Sequence, residues 1–178
     1  MIFKSARLIA RRFELRHAAA FATYRSDPAV ARYQSWDTFS LQEAADFIAS
    51  MAEKQPDGVG WFQFALEGRE DKNLIGDCGL NISEVDSRLA EIGFTIARGH
   101  WNKGYASEAV SALLNYAFDS FGLHRITASA DPRNTASCRV MQKVGMVRAA
   151  HHRQSLWFKG EWADDAVYAV LREDRRSK

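Results

Sequence analysis

The sequence predicts one α/β domain: a mixed sheet with helices on its faces. Three observations carry this. Between residues 61 and 97 three short runs rich in aromatic and branched side chains are separated by polar turns, the pattern of antiparallel strands joined by hairpins. From Tyr105 onward the pattern changes to a strand–helix–strand–helix alternation, which adds crossover helices to such a sheet. The 178 residues include only three prolines and show no repeat or low-complexity stretch, so residues 1–178 read as a single domain without a linker.

The elements follow in order. Arg7–Leu15 has the mixed pattern of a strand near a sheet edge. A helix is expected over His17–Arg25, stopping near Asp27-Pro28, and another over Leu41–Lys54. The second opens with Ser40 and Glu43 in capping-box spacing and carries Leu41, Ala44, Ala45, Ile48 and Met51 on one face. Strands are expected at Trp61–Glu67, Leu74–Ile82 and Leu89–Ala97, the first two parted by Glu70-Asp71-Lys72-Asn73. In the third, Ala90, Ile92, Phe94 and Ile96 share one face and Glu91, Gly93 and Thr95 the other. A long helix, Tyr105–Phe121, ends at Gly122, a C′ glycine. Then come a strand at His124–Ala130, a helix at Asn134–Val144 closed by Gly145, and strands near His152–Phe158 and Ala166–Leu171 joined at Lys159-Gly160-Glu161.

Composition narrows the function classes. With 47% hydrophobic and 26% charged residues the chain is an ordinary globular sequence. The 24 basic and 22 acidic residues leave a formal charge of +2, without the clustered basic footprint of a nucleic-acid binder. The terminal run Arg172, Arg175, Arg176, Lys178 is interrupted by Glu173 and Asp174 and reads as a solvated tail. No apolar run reaches the ~20 residues of a membrane span, and the N-terminus meets Lys4 too early for a signal peptide. Cys78 and Cys138, far apart and outside any CxxC pattern, read as reduced thiols of a cytoplasmic protein. A monomer or homodimer is expected, with neither nucleic acid nor membrane as partner.

The stretch that carries chemistry is Ile96-Ala97-Arg98-Gly99-His100-Trp101-Asn102-Lys103-Gly104-Tyr105-Ala106-Ser107-Glu108. A strand ends, a loop turns, and a helix begins just after a glycine. Such a junction aims several unpaired N–H groups in one direction, with the positive end of the helix behind them, which suits a pyrophosphate. The dipole contributes only ~0.3–1 kcal/mol per anionic group, so converging amides would do most of the holding. Gly104 would admit the phosphate closely, and Lys103 would add charge. A capped surface helix without ligand is the competing reading. Gly99 and Gly104 have P-loop spacing, but Tyr105 and Ala106 stand where that loop needs Lys and Ser or Thr. A Rossmann G-x-G-x-x-G is absent, so nucleoside triphosphates and dinucleotides are poor ligands.

The run Trp101-Asn102-Lys103-Gly104-Tyr105-Ala106-Ser107-Glu108-Ala109 resembles the coenzyme-A pyrophosphate loop of GNAT acetyltransferases, Q/R-x-x-G-x-G/A, with Trp101 at the Gln/Arg position. That replacement is common in the branch containing the ribosomal-protein N-terminal alanine acetyltransferases. His124-Arg125-Ile126, Asn134 with Ser137, and Lys143-Val144-Gly145-Met146 are similar to the same branch's H-R-I, N-x-x-S and K-x-G-F signatures, Met146 replacing Phe. The resemblance implies a GNAT-like, mostly antiparallel sheet splayed around acetyl-CoA, helices on both faces, and direct acetyl transfer to a primary amine without metal. The acceptor would be a protein N-terminal α-amine or a small amine such as a polyamine, amino acid or aminoglycoside. A non-catalytic acyl-CoA-binding sensor or scaffold is the rival.

By that resemblance, residues 101–107 would cradle the pyrophosphate, and the backbone of Phe94, Thr95 and Ile96 would pair with pantetheine and polarise the thioester carbonyl. Removing one such oxyanion donor costs ~2.7–4 kcal/mol in other enzymes. Asn134 and Ser137 would face the coenzyme; in sequence terms they are equally an N-cap and its N3 residue. Ser137 would protonate the departing thiolate, since Cys138, Arg139 and Met141 offer no tyrosine nearby. Glu91 matches the base position of some members and would deprotonate the amine, with Glu67 and Glu84 as rivals and a solvated or ion-paired carboxylate as the alternative. His151-His152 lacks a third ligand for a metal, and His100 would touch phosphate or solvent. Cys138 reads as a buried small apolar residue. Tyr33, Trp36, Trp61 and Phe62 are candidate acceptor-pocket walls, with core packing favoured for Trp61 and Phe62.

Overall fold

A computed structural model describes residues 1–176 of the chain. Eight strands form a single sheet in the order β1-β2-β3-β4-β5-β6-β8-β7. The strands are β1 (Phe3–Lys4), β2 (Leu8–Arg12), β3 (Gly60–Gly68), β4 (Leu74–Ile82), β5 (Leu89–Ile96), β6 (Arg125–Ala130), β7 (Val147–Phe158) and β8 (Glu161–Leu171). The helices are α1 (Ala18–Arg25), α2 (Pro28–Ala31), α3 (Leu41–Ala52), α4 (Tyr105–Phe121), α5 (Thr135–Lys143) and α6 (Arg172–Arg176). Every pairing is antiparallel except β5 with β6, the pair that needs a long crossover, and α4 supplies it.

Two apolar layers flank the sheet. On one face Phe62, Phe64, Leu80, Ile92 and Ile126 pack against Val110, Leu113 and Leu114 of α4 and Met141 of α5. On the other, Ala65 meets Phe21 and Ala22 of α1 and Ala44 and Ile48 of α3. Gly122 ends α4 at φ +64, and the capping box of Ser40 and Glu43 opens α3, both as the sequence predicts. Leu41, assigned to the apolar face of α3, is instead exposed in its first turn.

Several boundaries differ for identifiable reasons. Asp27-Pro28 does not merely stop α1; Asp27 Oδ1 accepts from Ala29 N at 2.9 Å and Pro28 takes the first helical position, so the pair opens α2. Arg7–Leu15 yields β2, near the sheet edge as expected and shorter than its bounds, while the edge itself is β1, whose two residues are too few to leave a periodic signal. β7 begins five residues before the expected His152 because it is exposed along nearly its whole length and lacks the alternation that marks a half-buried strand. β8 also begins five residues early, at Glu161. The terminal run is not simply solvated: Arg175 of α6 donates to Asn115 Oδ1 and to the Val144 carbonyl, each at 3.1 Å. Lys178 lies outside the described residues.

The β7–β8 turn reaches back across the molecule. Lys159 Nζ donates to the carbonyls of Ala31 and Trp36 at 2.8 Å and pairs with Asp37 at 2.7 Å, tying the hairpin to the α2–α3 connection.

Candidate active site

The site begins where β5 and β6 part. Their parallel register runs Leu89↔Arg125, Ala90↔Ile126, Glu91↔Thr127 and then ends. Ser83 N donates to Leu89 O and Ala97 N to Ile75 O, both at 2.9 Å, which sets the phase of the antiparallel β4–β5 ladder. In that phase Leu89, Glu91, Gly93, Thr95 and Ala97 turn their main-chain groups to β4, while Ala90, Ile92, Phe94 and Ile96 turn theirs towards β6. The Thr127 hydroxyl, 3.3 Å from Ala90 O, agrees. Beyond Glu91 those groups therefore face a gap inside the sheet, where unpaired backbone is costly without a partner. Phe94 and Ile96 aim their N–H groups into it. Ile96 O is taken by Trp101 Nε1 at 2.6 Å, and Thr95, expected to share the role, turns its main chain to Asp77.

The gap leads to the start of α4. Gly104 is its N-cap at φ +80, a left-handed conformation open to glycine, and no side chain caps the helix. The first N–H groups of α4, from Tyr105, Ala106 and Ser107, have no carbonyl one turn back. Asn102, at φ +59, adds a second left-handed bend to the loop. Lys103 Nζ donates to Gly99 O at 2.7 Å, so its ammonium closes the loop on itself. Arg7 braces this corner: Nη1 donates to Lys103 O at 3.0 Å, the guanidinium covers the Tyr105 ring at 4.2 Å, and Nε meets Glu108 at 2.7 Å. Nothing in the sequence separates Arg7 from any other strand arginine. His100 stands edge-on to Tyr105, and burial lowers its pKa.

Glu91 lies on the opposite face from the Ile92 and Ile96 side chains. Register places Trp61, Asn81, Glu91 and Thr127 side by side across β3, β4, β5 and β6. They floor a cleft of about 540 Å³ shared with Glu84 and Arg125. Burial, and then the negative charge of Asp165, raises the pKa of Glu91; no basic side chain is among the groups that act on it. Glu67 is elsewhere: it is buried between β2 and α1, bonded to His17 Nε2 at 2.8 Å and to Arg16. Glu84 is exposed at the cleft rim.

The aromatic candidates disperse. Phe62 is core, whereas Trp61 is 40% exposed and lies over the Gly79–Gly93 pair, 3.7 Å from where a Gly93 Cβ would stand. Core packing was the stronger expectation for Trp61; the two glycines leave it a shelf on the open face. Trp36 stacks on the Arg25 guanidinium at 3.8 Å, and Tyr33 lies beside Arg32. Arg25 is buried, donating to the fully buried Asp77 at 3.1 Å; Asp77 also accepts from Gln63 at 2.9 Å and from the Tyr24 hydroxyl.

At α5, Asn134 Oδ1 accepts from Ser137 N at 3.2 Å, so the cap is made by the serine's N–H and not its hydroxyl. Cys138 is half-buried, not fully buried, and the phenol of Tyr168 on β8 bonds to it. Tyr168 escaped the sequence reading because it stands 30 residues after Cys138, on a strand and not on the helix whose tyrosines were sought. His151 pairs with Asp164 at 2.7 Å, and among the described residues no group of three His, Cys, Asp or Glu side chains could hold a metal.

Residues 7–147 match the model of the Acetyltransferase (GNAT) domain. The chain belongs to the GNAT acetyltransferase family. It is an N-acetyltransferase. It is 32% identical to the N-acetyltransferase p20 of Bacillus licheniformis over 94% of each chain. The crystal structure of a GNAT-family acetyltransferase from Bacillus anthracis superimposes with a TM-score of 0.87 at 33% identity, covering 96% of this chain and 98% of that one. The [ribosomal protein uS5]-alanine N-acetyltransferase of Escherichia coli is 25% identical over 64% of this chain and 59% of its own length. The GNAT fold uses acetyl-CoA. No helix among the described residues is long and apolar enough to cross a membrane.

Proposed function

We propose that this acetyltransferase holds acetyl-CoA across the β5–β6 gap and transfers the acetyl group directly to a primary amine at Glu91. The observation that carries this reading is two sets of unpaired main-chain donors, Phe94 and Ile96 in the gap and the first turn of α4 beyond it. The N–H groups of residues 104–107 would take the pyrophosphate, with Trp101, Asn102 and Lys103 shaping the loop, and Phe94 and Ile96 would take the pantetheine as an added strand. Acetyl-CoA supplies an activated acyl group on a thiolate leaving group.

The protein's part is to orient and to move protons. Glu91, its pKa raised by burial and then by Asp165, accepts a proton from the ammonium, directly or through water, which frees the nitrogen lone pair. The nitrogen attacks the acetyl carbon; the C–N bond forms, the C–S bond breaks, and an N–H of the gap steadies the oxyanion. The Ser137 hydroxyl, unused by its cap, gives its proton to the departing thiolate and is restored, through water, by the second proton that the nitrogen loses as it becomes an amide. Asn134 fixes the helix that presents Ser137.

The test is calorimetric titration with coenzyme A, followed by thiol release with acetyl-CoA and a panel of amines. Gly104→Glu puts bulk and negative charge at the helix start and is expected to weaken coenzyme binding at least a hundredfold. Retained affinity in that variant would move the site elsewhere.

A further inference from the structure

The cleft beside Glu91 carries two side chains of opposite charge type, Glu91 and Arg125, that no ion pair among the described residues engages. Register puts Arg125 beside Leu89 and Thr127 beside Glu91, so Glu91 and Arg125 occupy neighbouring strands two positions apart, on one face. Both are half-buried cleft residues, and neither has an ion-pair partner among the described residues. Opposite charges this near normally find each other or a counter-ion, because a half-buried charge without a partner has lost part of its hydration. The backbones of residues diagonal across adjacent strands stand about 7–8 Å apart, near enough for the two long side chains to reach opposite ends of one small molecule that carries both an ammonium and a carboxylate.

Two further features bear on what fits. At this level β4, β5 and β6 are paired on both sides, through Asn81, Glu91 and Thr127, whereas β3 at Trp61 is paired only with β4, its register with β2 ending at Arg12↔Phe64. Around Glu91 and Arg125 the floor therefore has no free strand edge to grip an extended peptide by strand addition. A volume of about 540 Å³ suits one small molecule. The exposed Trp61 ring offers an apolar wall over Gly79 and Gly93 for a side chain. A polyamine would set a second cation against Arg125.

We infer that the acceptor is a small zwitterionic amine of the amino-acid class, its ammonium at Glu91 and its carboxylate at Arg125. This rests on the reading that transfer takes place at Glu91, and it departs from the protein N-terminal amine as acceptor.

The experiment measures kcat/KM by thiol release for the twenty protein amino acids, their carboxamides, spermidine and N-terminal tetrapeptides, with coenzyme-A affinity measured separately. At least one amino acid is expected to exceed its own carboxamide, spermidine and every peptide tenfold or more. Arg125→Gln should erase the acid-over-amide ratio by raising KM for the acid, with coenzyme affinity unchanged, and Arg125→Lys should restore part of it. Equal rates for acid and amide, preference for spermidine or a peptide, turnover of no amino acid, or a ratio unchanged in Arg125→Gln each overturns the inference. Absence of coenzyme binding in the parent protein would instead overturn the proposed function.

Discussion

Arg7 Nε lies 2.7 Å from Glu108 Oε2, while the Arg7 N–H and the Ser5 hydroxyl both donate to Oε1 of the same carboxylate at 2.7 Å. One acidic side chain in the first turn of α4 thus holds the β1–β2 turn and the loop that opens the helix. The ion pair itself contributes little, since Arg7 is nearly half exposed. The two donors on Oε1 matter more. Glu108→Ala is expected to cost about 1.5–3 kcal/mol in chemical denaturation, the range for hydrogen bonds to a charged group. Hydrogen bonds from Ser5 and Arg7 outweigh burial and lower the pKa of Glu108, so its contribution is present above 4.5 and lost as pH falls through the lower folded value. Glu108→Gln should flatten that acid limb.

Gly104 at φ +80 would carry a side chain only under strain, and a Cβ there would stand 3.4 Å from Arg7 Nη2. Gly104→Ala is expected to lose about 1–2 kcal/mol of stability, the cost of a left-handed L-residue. Coenzyme affinity should fall further than this. A variant with parental melting temperature and parental affinity would contradict the cradle.

Glu91 has its pKa raised by burial first and by Asp165 second. A carboxylate raised in the folded state destabilises the fold above its unfolded value, and the penalty disappears in acid. Glu91→Gln should therefore raise the melting temperature at neutral pH and leave it unchanged below 4.5. Turnover should drop severely in the same variant. In the parent, kcat/KM should fall as pH drops through the raised value, because the base becomes protonated.

Ser137 contributes only its N–H to the α5 cap. Ser137→Ala should keep both stability and coenzyme affinity while lowering kcat at least tenfold. Asn134→Ala should instead cost about 0.5–2 kcal/mol by removing the cap. Loss of stability in Ser137→Ala without loss of kcat would end the proton-donor assignment.

Arg25 and Asp77 are buried together beneath Trp36, and the Arg25 Nε has no partner. Arg25→Ala is expected to cost about 3–5 kcal/mol by stranding a buried carboxylate. Pairing it with Asp77→Asn should recover part of that loss, measurable as a double-mutant cycle.

Much of this protein is written locally. α4 starts and stops at glycines whose positive φ is a property of the residue, and α3 is announced by Ser40 and Glu43 three residues apart. The strands Leu74–Ile82 and Leu89–Ile96 each follow a polar turn; the first is buried along most of its length, and the second alternates in burial at its start. The loop ahead of α4 was legible because its shape is local, set by the left-handed Asn102 and Gly104 where the helix opens without a side-chain cap. Asp27-Pro28 and the exposed β7 were harder to read: a helix start looks like a helix stop, and an edge strand has no periodicity.

The tertiary structure decided whatever depends on two distant segments meeting. Only register shows that Thr95 faces β4 while Phe94 and Ile96 face the gap, and that Glu67 lies outside the cleft that Glu91 floors. The Arg7–Glu108 brace joins residues 101 apart, and Glu91 and Arg125 share a cleft because a three-residue parallel pairing sets β5 beside β6. Side-chain type and short-range spacing fix backbone conformation. A shared site is fixed by which faces the chain brings together, and sequence periodicity carries no record of that.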